Sequence, residues 1–165
     1  DETMDGIVDE IRAGLSWLRD NLTELRVNNP NIIVSGHSSG GHLCSRMKGE
    51  ADVIGVVAYS GIYDLRPIGQ IYVNHVVKMD AAQIKRHSPL LNPLDPSGFA
   101  VVAYGEAELE SFQVQSQAYA EALSAAGADV TLVACSGRDH FDVQYELSND
   151  DGLIYRAVAE KLGLN

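Results

Sequence analysis

The sequence predicts an α/β fold, a mostly parallel sheet with helices on both faces, and three observations lead there. Four short apolar runs, at 32–35, 53–60, 99–105 and 129–135, are rich in Val, Ile and Ala and read as buried strands. Helical periodicities precede the first run, separate others and follow the last, which is the alternation of a parallel sheet with right-handed crossovers. A glycine-rich stretch, "GHSSGG" at 36–41, follows the first strand directly and suits a tight strand-to-helix turn.

Met4, Val8, Ile11, Leu15, Leu18 and Leu22 recur at alternating steps of four and three, with Asp5, Asp9, Arg12 and Arg19 mostly off that face. This spacing predicts a surface helix. "NNPN" at 28–31 ends it in a turn, because Pro30 cannot continue a helix. "IIVS" at 32–35 is the first strand, and "HLCSRMKGE" at 42–50 is compatible with the helix behind the glycine-rich turn. "VIGVVAYS", "FAVVAYG" and "DVTLVAC" are the other strands, and all four read as too apolar for a half-exposed sheet. Between the last two, "SFQVQSQAYAEALSAAG" at 111–127 places Phe112, Gln115, Tyr119 and Leu123 on one helical face, with Gly127 as its stop. A final helix spans roughly 152–162. The stretch 61–96 breaks the rhythm with Pro67, Pro89, Pro93 and Pro96 and a short helical piece around Asp80 to Arg86, so it reads as a lid or substrate-binding excursion.

The 165 residues fit a single domain, 1–165, with 45% hydrophobic and 21% charged residues, which is ordinary for a globular protein. Twelve basic against twenty-three acidic residues give a formal charge of -11, which repels a phosphate backbone and argues against nucleic acid as a partner. No apolar run is long enough to cross a bilayer, so no membrane partner is expected. Cys44 and Cys135 stand far apart without CxxC or zinc spacing, so no metal is expected and the two idle thiols suit a reducing, cytoplasmic compartment.

Gly36-His37-Ser38-Ser39-Gly40 matches G-x-S-x-G, in which a serine sits on a strained turn between strand and helix. Ser38 is therefore the candidate nucleophile, and the alternative is a glycine-rich helix start that holds an anion. A serine hydroxyl is a weak nucleophile at neutral pH and needs a histidine base oriented by a carboxylate. "SGRDHFD" at 136–142 follows the fourth strand and supplies His140. His37 and His42 flank the turn, whereas His75 and His87 fall in the excursion and read as lid or surface residues. The acid is expected after the third strand, in "GEAELES" at 105–111, where Glu106, Glu108 and Glu110 compete on equal terms. All three also suit the acidic first turn of the next helix.

"SGHSSGGHL", "SGIYDLRPI" at 60–68, "HSPL" at 87–90, "GEAELESFQVQSQAYAEAL" at 105–123 and "GRDHFD" at 137–142 together resemble the kynurenine formamidase (arylformamidase) family of α/β-hydrolases. The resemblance runs from about Asn31 onward. It implies hydrolysis of a small-molecule substrate, N-formyl-L-kynurenine, to L-kynurenine and formate in tryptophan breakdown, while neighbouring esterases cleave small acyl esters. Ser38 would then be the nucleophile, His140 the base and the backbone N–H of Ser39 an oxyanion donor, with no metal or organic cofactor. The family's acid stands four residues before the phenylalanine of an "F-x-x-Q-S" segment, which Phe112, Gln115 and Ser116 match, so the resemblance selects Glu108, with Glu106 second.

Tyr63, Tyr72 and Asn74 in the excursion are candidates to line a pocket for an aromatic amino acid, or equally to pack. The family's upstream "HGG"-type segment has no match here, which leads to the expectation that these residues are the C-terminal part of a longer enzyme. In that case "IIVS" presents an unpaired apolar edge, open to pairing with another copy of the chain as a homo-oligomer. Two rival readings remain: a general carboxylesterase, and a non-catalytic α/β module, either an inactive hydrolase fragment or a flavodoxin-like binder with an anion at Ser39 to Gly41.

Overall fold

A computed structural model describes residues 3–28 and 31–164. Asn29 and Pro30, and with them part of the expected turn at 28–31, lie outside the described residues. Helix α1 (Met4–Asp20) starts where the Thr3 side chain accepts a hydrogen bond from the Gly6 N–H, and it buries Met4, Val8 and Leu15 as the periodicity predicts. It ends two residues before Leu22, in turns that run to residue 26.

Strands β1 (Ile32–His37), β2 (Val53–Tyr59), β3 (Phe99–Gly105) and β4 (Asp129–Cys135) form one sheet in the order β1-β2-β3-β4, parallel at every pairing. Strand β1 runs two residues past "IIVS", carrying His37 to the rim of the sheet beside Tyr59. Helix α2 (Ser39–Ser45) follows immediately and is shorter than its sequence suggested, giving way to turns at 46–49. Helix α5 (Glu110–Ala125) joins β3 to β4 and buries Ser116, Tyr119, Ala120 and Leu123.

Both faces of the sheet are covered, and the side-chain alternation of each strand sorts residues between them. On one face Val56, Ala58, Ala100 and Val102 pack with Val8, Leu15, Met47, Tyr119 and Leu123 from α1, the α2 region and α5. On the other, Val57, Val101 and Ala103 pack with Val143 and with Ile154 and Ala157 of α7 (Leu153–Lys161), which follows the short α6 (Tyr145–Ser148). The expectation that all four strands are buried on both faces holds for the inner pair only. Strand β3 is buried throughout, whereas β4 alternates between exposed and half-buried positions, with Leu132 42% exposed. The reason is position: among the described residues β4 pairs with β3 alone, and β1, at the opposite edge, pairs with β2 alone. Cys44 and Cys135 are buried free thiols, and burial pushes both up to about 12.

The excursion at 61–96 folds into α3 (Val73–Val77) and α4 (Ala81–His87), flanked by single 3-10 turns at Ile68–Gln70 and Pro89–Leu91. A capping box between Asp80 and Gln83 starts α4 where the sequence places it. His87 departs from expectation, being 3% exposed rather than a surface residue. Its Nε2 bonds the Asp5 carboxylate at 2.8 Å, and its carbonyl accepts from His42 Nε2 at 2.7 Å. Arg86 and Gln83 also bond Asp5, so α1, α2 and α4 are tied by one polar chain. The Arg86 guanidinium, with Gln83 and His87, holds the Asp5 carboxyl well below the usual carboxylate range.

Burial pushes His42 down to about 4, against the opposing pull of its bond to the His87 carbonyl. A histidine that resists protonation when folded binds its proton more readily when unfolded, so stability falls as pH drops from about 6.5 towards 4. Urea denaturation across that window should show a slope of up to about 1.4 kcal/mol per pH unit from this residue. His42→Gln, which keeps a donor towards His87, should flatten the slope.

Candidate active site

The strand-to-helix turn at Ser38 forms because the chain reverses within one residue. Ser38 has φ 56° and ψ -118°, outside the regions that L-residues ordinarily occupy, at a cost of about 1–3 kcal/mol. Close packing makes the turn possible: a Cβ on Gly36 would overlap the Gly40 carbonyl. The Ser38 N–H is bonded to the Tyr59 carbonyl at 3.0 Å, which fixes the turn to β2. The Ser38 side chain is thereby presented at the C-terminal end of the sheet, where open α/β sheets place their ligands.

Two loops meet it there. After β3, the Glu106 N–H bonds the Cys135 carbonyl and the Ala107 N–H bonds the Arg138 carbonyl, so the loop at 105–109 and the loop at 136–144 are stitched together by their backbones. Gly105 permits the approach, since a Cβ there would overlap the Arg138 carbonyl. Asp139 braces the second loop by accepting from the Phe141 and Asp142 N–H groups, and those two bonds hold its carboxyl below the usual range.

His140 stands between the other two groups. Its Nε2 lies 3.0 Å from Ser38 Oγ and its Nδ1 lies 2.8 Å from Glu108 Oε2, across sequence separations of 102 and 32 residues. The carboxylate can only accept, so Nδ1 carries the proton in neutral His140 and Nε2 is left to accept from the serine. The Glu108 side chain is fully buried, and its other oxygen, Oε1, accepts from Ser60 Oγ at 3.1 Å and from the Gly105 N–H at 3.0 Å. Both carboxylate oxygens are thus bonded. Phe112 covers the His140 ring at 4.2 Å and 34°.

Glu108 is therefore the carboxylate that the structure brings to His140, whereas Glu106 is exposed and Glu110 opens α5. Ser39 lies at the start of α2 and lines a cavity of about 270 Å³ together with Ser38. The walls of this cavity come from Met4, Leu65, Val73, Val77 and Met79 with the buried His42, and no Asp, Glu, Lys or Arg lines it. A second cavity of about 270 Å³ lies on the Phe112 side, between Ile71, Leu109 and Gln115, and shares Ile62 and Ile68 with the first. A more open hollow of about 440 Å³ beside Arg66 and Lys85 is lined by neither Ser38 nor His140.

The three excursion residues lie elsewhere. Tyr63 is wholly buried, stacked on Tyr119 at 4.1 Å, and its size and planar ring serve the core. Tyr72 is 77% exposed. Asn74 bonds the Gly69 and Met79 backbones and closes its own loop. Besides the two serines and His42, the Ser38 cavity is lined by apolar neighbours such as Leu65, Val73, Val77 and Met79, indistinguishable in sequence from core residues. Sequence reasoning also passed over Ser60, whose one signal is its place immediately after β2, at the end of the sheet where site residues gather. Among the described residues no group of three or more His, Cys, Asp or Glu is placed to hold a metal, and no helix is long and apolar enough to cross a membrane.

Similar proteins share this arrangement of strands and helices. A family described as having the alpha/beta hydrolase fold matches residues 3–143. A kynurenine formamidase of Danio rerio is 30% identical over 145 residues, 80% of this chain and 50% of the fish protein. One of Salmo salar is 29% identical, covering 97% and 58%. The chain thus spans about half the length of these curated relatives. Among solved structures, a thermostable carboxylesterase from a metagenomic library has a TM-score of 0.72 at 23% identity, covering 99% of this chain and 65% of that one. An esterase of Pyrobaculum calidifontis has a TM-score of 0.75 at 20% identity, covering 99% and 62%. These two likenesses are of fold, and with the family match over most of the sequence they lead to one conclusion: the chain belongs to the α/β-hydrolase fold family.

Proposed function

We propose that the chain carries the catalytic centre of a serine hydrolase that cleaves a small ester or amide by acyl transfer. The observation that carries this reading is the pair of hydrogen bonds from Ser38 Oγ through His140 to Glu108, at 3.0 and 2.8 Å. Ser38 Oγ attacks the substrate carbonyl while His140 Nε2 takes its proton, and Glu108 stabilises the imidazolium that results. The proton then passes to the leaving nitrogen or oxygen, whose bond to the carbonyl carbon breaks. Water, deprotonated by the same histidine, attacks the acyl-serine and releases the acid. The Ser39 N–H, as the first of α2, has no carbonyl partner one turn back within its helix and is the donor proposed for the oxyanion. The excursion at 61–96 is proposed as the substrate-binding wall, since it supplies Leu65, Val73, Val77 and Met79 beside Ser38.

The substrate proposed is N-formyl-L-kynurenine, supported by the five-segment resemblance and by relatives named kynurenine formamidase. A specific observation favours a second reading, general carboxylester hydrolysis. The cavity at Ser38 offers no charged side chain to the ammonium and carboxylate of an amino acid.

A fluorophosphonate should label Ser38, with labelling lost in Ser38→Ala and strongly slowed in His140→Ala. A folded wild-type protein that resists labelling would favour the non-catalytic module. Glu108→Gln should lower kcat on the order of 10⁴-fold by removing the charge that orients His140, while Glu106→Gln leaves it unchanged. Steady-state kinetics on p-nitrophenyl acetate measure both. For the substrate, kcat/KM on N-formyl-L-kynurenine should exceed that on p-nitrophenyl butyrate by about tenfold or more, a difference of about 1.4 kcal/mol in transition-state binding. The reverse order would install the carboxylesterase reading.

A further inference from the structure

The residue immediately before the nucleophile touches the base. His37 is the last residue of β1, and its Nε2 lies 2.6 Å from the backbone carbonyl of His140, 103 residues away in sequence. A carbonyl only accepts, so His37 Nε2 donates. The two imidazole rings stand 4.8 Å apart at 45°, and Tyr59 stacks on His37 at 5.5 Å and 25°. Phe112 lies against His140 at 4.2 Å and Phe141 meets it edge-on at 5.6 Å, so three rings, His37 among them, pack the base.

We propose that His37 is a positioning residue for the base, an inference that rests on the proposed role of Ser38 and His140. The His140 loop has no regular secondary structure, and a loop base drifts unless something outside the loop fixes it. Asp139 braces the loop internally, and Glu108 holds the ring. His37 does a third thing: it pins the backbone of residue 140 to the strand that carries Ser38. Nucleophile and base thereby share one anchor, and a displacement of the strand end moves both together. A neutral imidazole suits this place, because a cation 4.8 Å from His140 would oppose formation of its imidazolium. Burial lowers the His37 pKa, and the groups that face it are His140, Tyr59 and, through charge alone, Glu108.

The test compares His37→Gln with His37→Asn. A glutamine amide reaches about as far as Nε2 and can restore the donor, whereas asparagine is one methylene short. For wild type and both variants, kcat and KM on p-nitrophenyl acetate, the rate of fluorophosphonate labelling and the thermal midpoint are measured. The expected result is a fall in kcat and labelling rate of about a hundredfold for His37→Asn, the scale of a 1 Å misplacement, at unchanged KM. His37→Gln should stay within about tenfold of wild type. Equal rates in the two variants, whether both impaired or both normal, would overturn the proposal, as would changes confined to the thermal midpoint. An unlabelled wild type would instead overturn the catalytic reading itself, which keeps the two failures apart.

Discussion

The backbone of Ser38 is the constraint on which the site depends. A serine held at φ 56° at the junction of β1 and α2 is strained, and the strain persists only because the surroundings leave no relaxed alternative. Gly36 and Gly40 lie in backbone contact, and the Ser38 N–H is bound to β2. A Cβ on Gly41 would press on the Gly61 Cα and on the Tyr59 and Gly36 carbonyls at 3.0–3.2 Å, so the first turn of α2 is tightly packed there. The Cα–Cβ bond is thereby fixed, and the hydroxyl meets His140 in the loop at the end of β4.

Those loops show how a parallel sheet brings distant residues together. Each strand ends at the same rim, so Tyr59, Gly105 and Cys135 mark the places where the chain leaves the sheet, and Ser60, Glu108 and His140 lie within five residues of them. Burying the Glu108 side chain fully would be costly for a lone carboxylate. Ser60 and the Gly105 N–H offset that cost at one oxygen and His140 at the other. The carboxylate is thereby shielded from water and held at both oxygens, which is what the proposed orienting role asks of it.

Much of this was legible in the sequence, because the strongest signals were local. The 4–3 spacing of α1, the apolar runs of the inner strands and the short helical piece around Asp80 to Arg86 each express a short-range rule, and each element formed there, α1 stopping two residues short of Leu22. The G-x-S-x-G turn was legible for the same reason. What failed was whatever depended on a neighbour far along the chain. Leu132 is as apolar as a core residue, yet it is exposed on an edge strand, since among the described residues no strand lies beyond β4 in the sheet. His87 looked like part of a surface excursion until α1 supplied Asp5 to it. Position in the loop left Glu106, Glu108 and Glu110 equal and the family resemblance alone pointed to Glu108; in the structure the turn of the loop back over Gly105 separates the exposed Glu106 from the buried Glu108.

The two apolar cavities acquire distinct meanings under the proposed acyl transfer. The leaving group must receive its proton from His140, so the limb it carries lies on the side of that ring, where Phe112, Leu109 and Ile71 form the second cavity. In that arrangement the acyl limb, bonded to Ser38, would face the cavity walled by Val73, Val77 and Met79, which Ser38 itself lines. A formyl group has no chain to fill that space, whereas the acyl chain of a carboxylic ester buries about 25 cal/mol for each Å² it removes from water there. A formamide must therefore draw its binding from the leaving-group side. For that reason the length of the acyl chain is the variable that most directly separates the two substrate readings, independently of what the leaving group is.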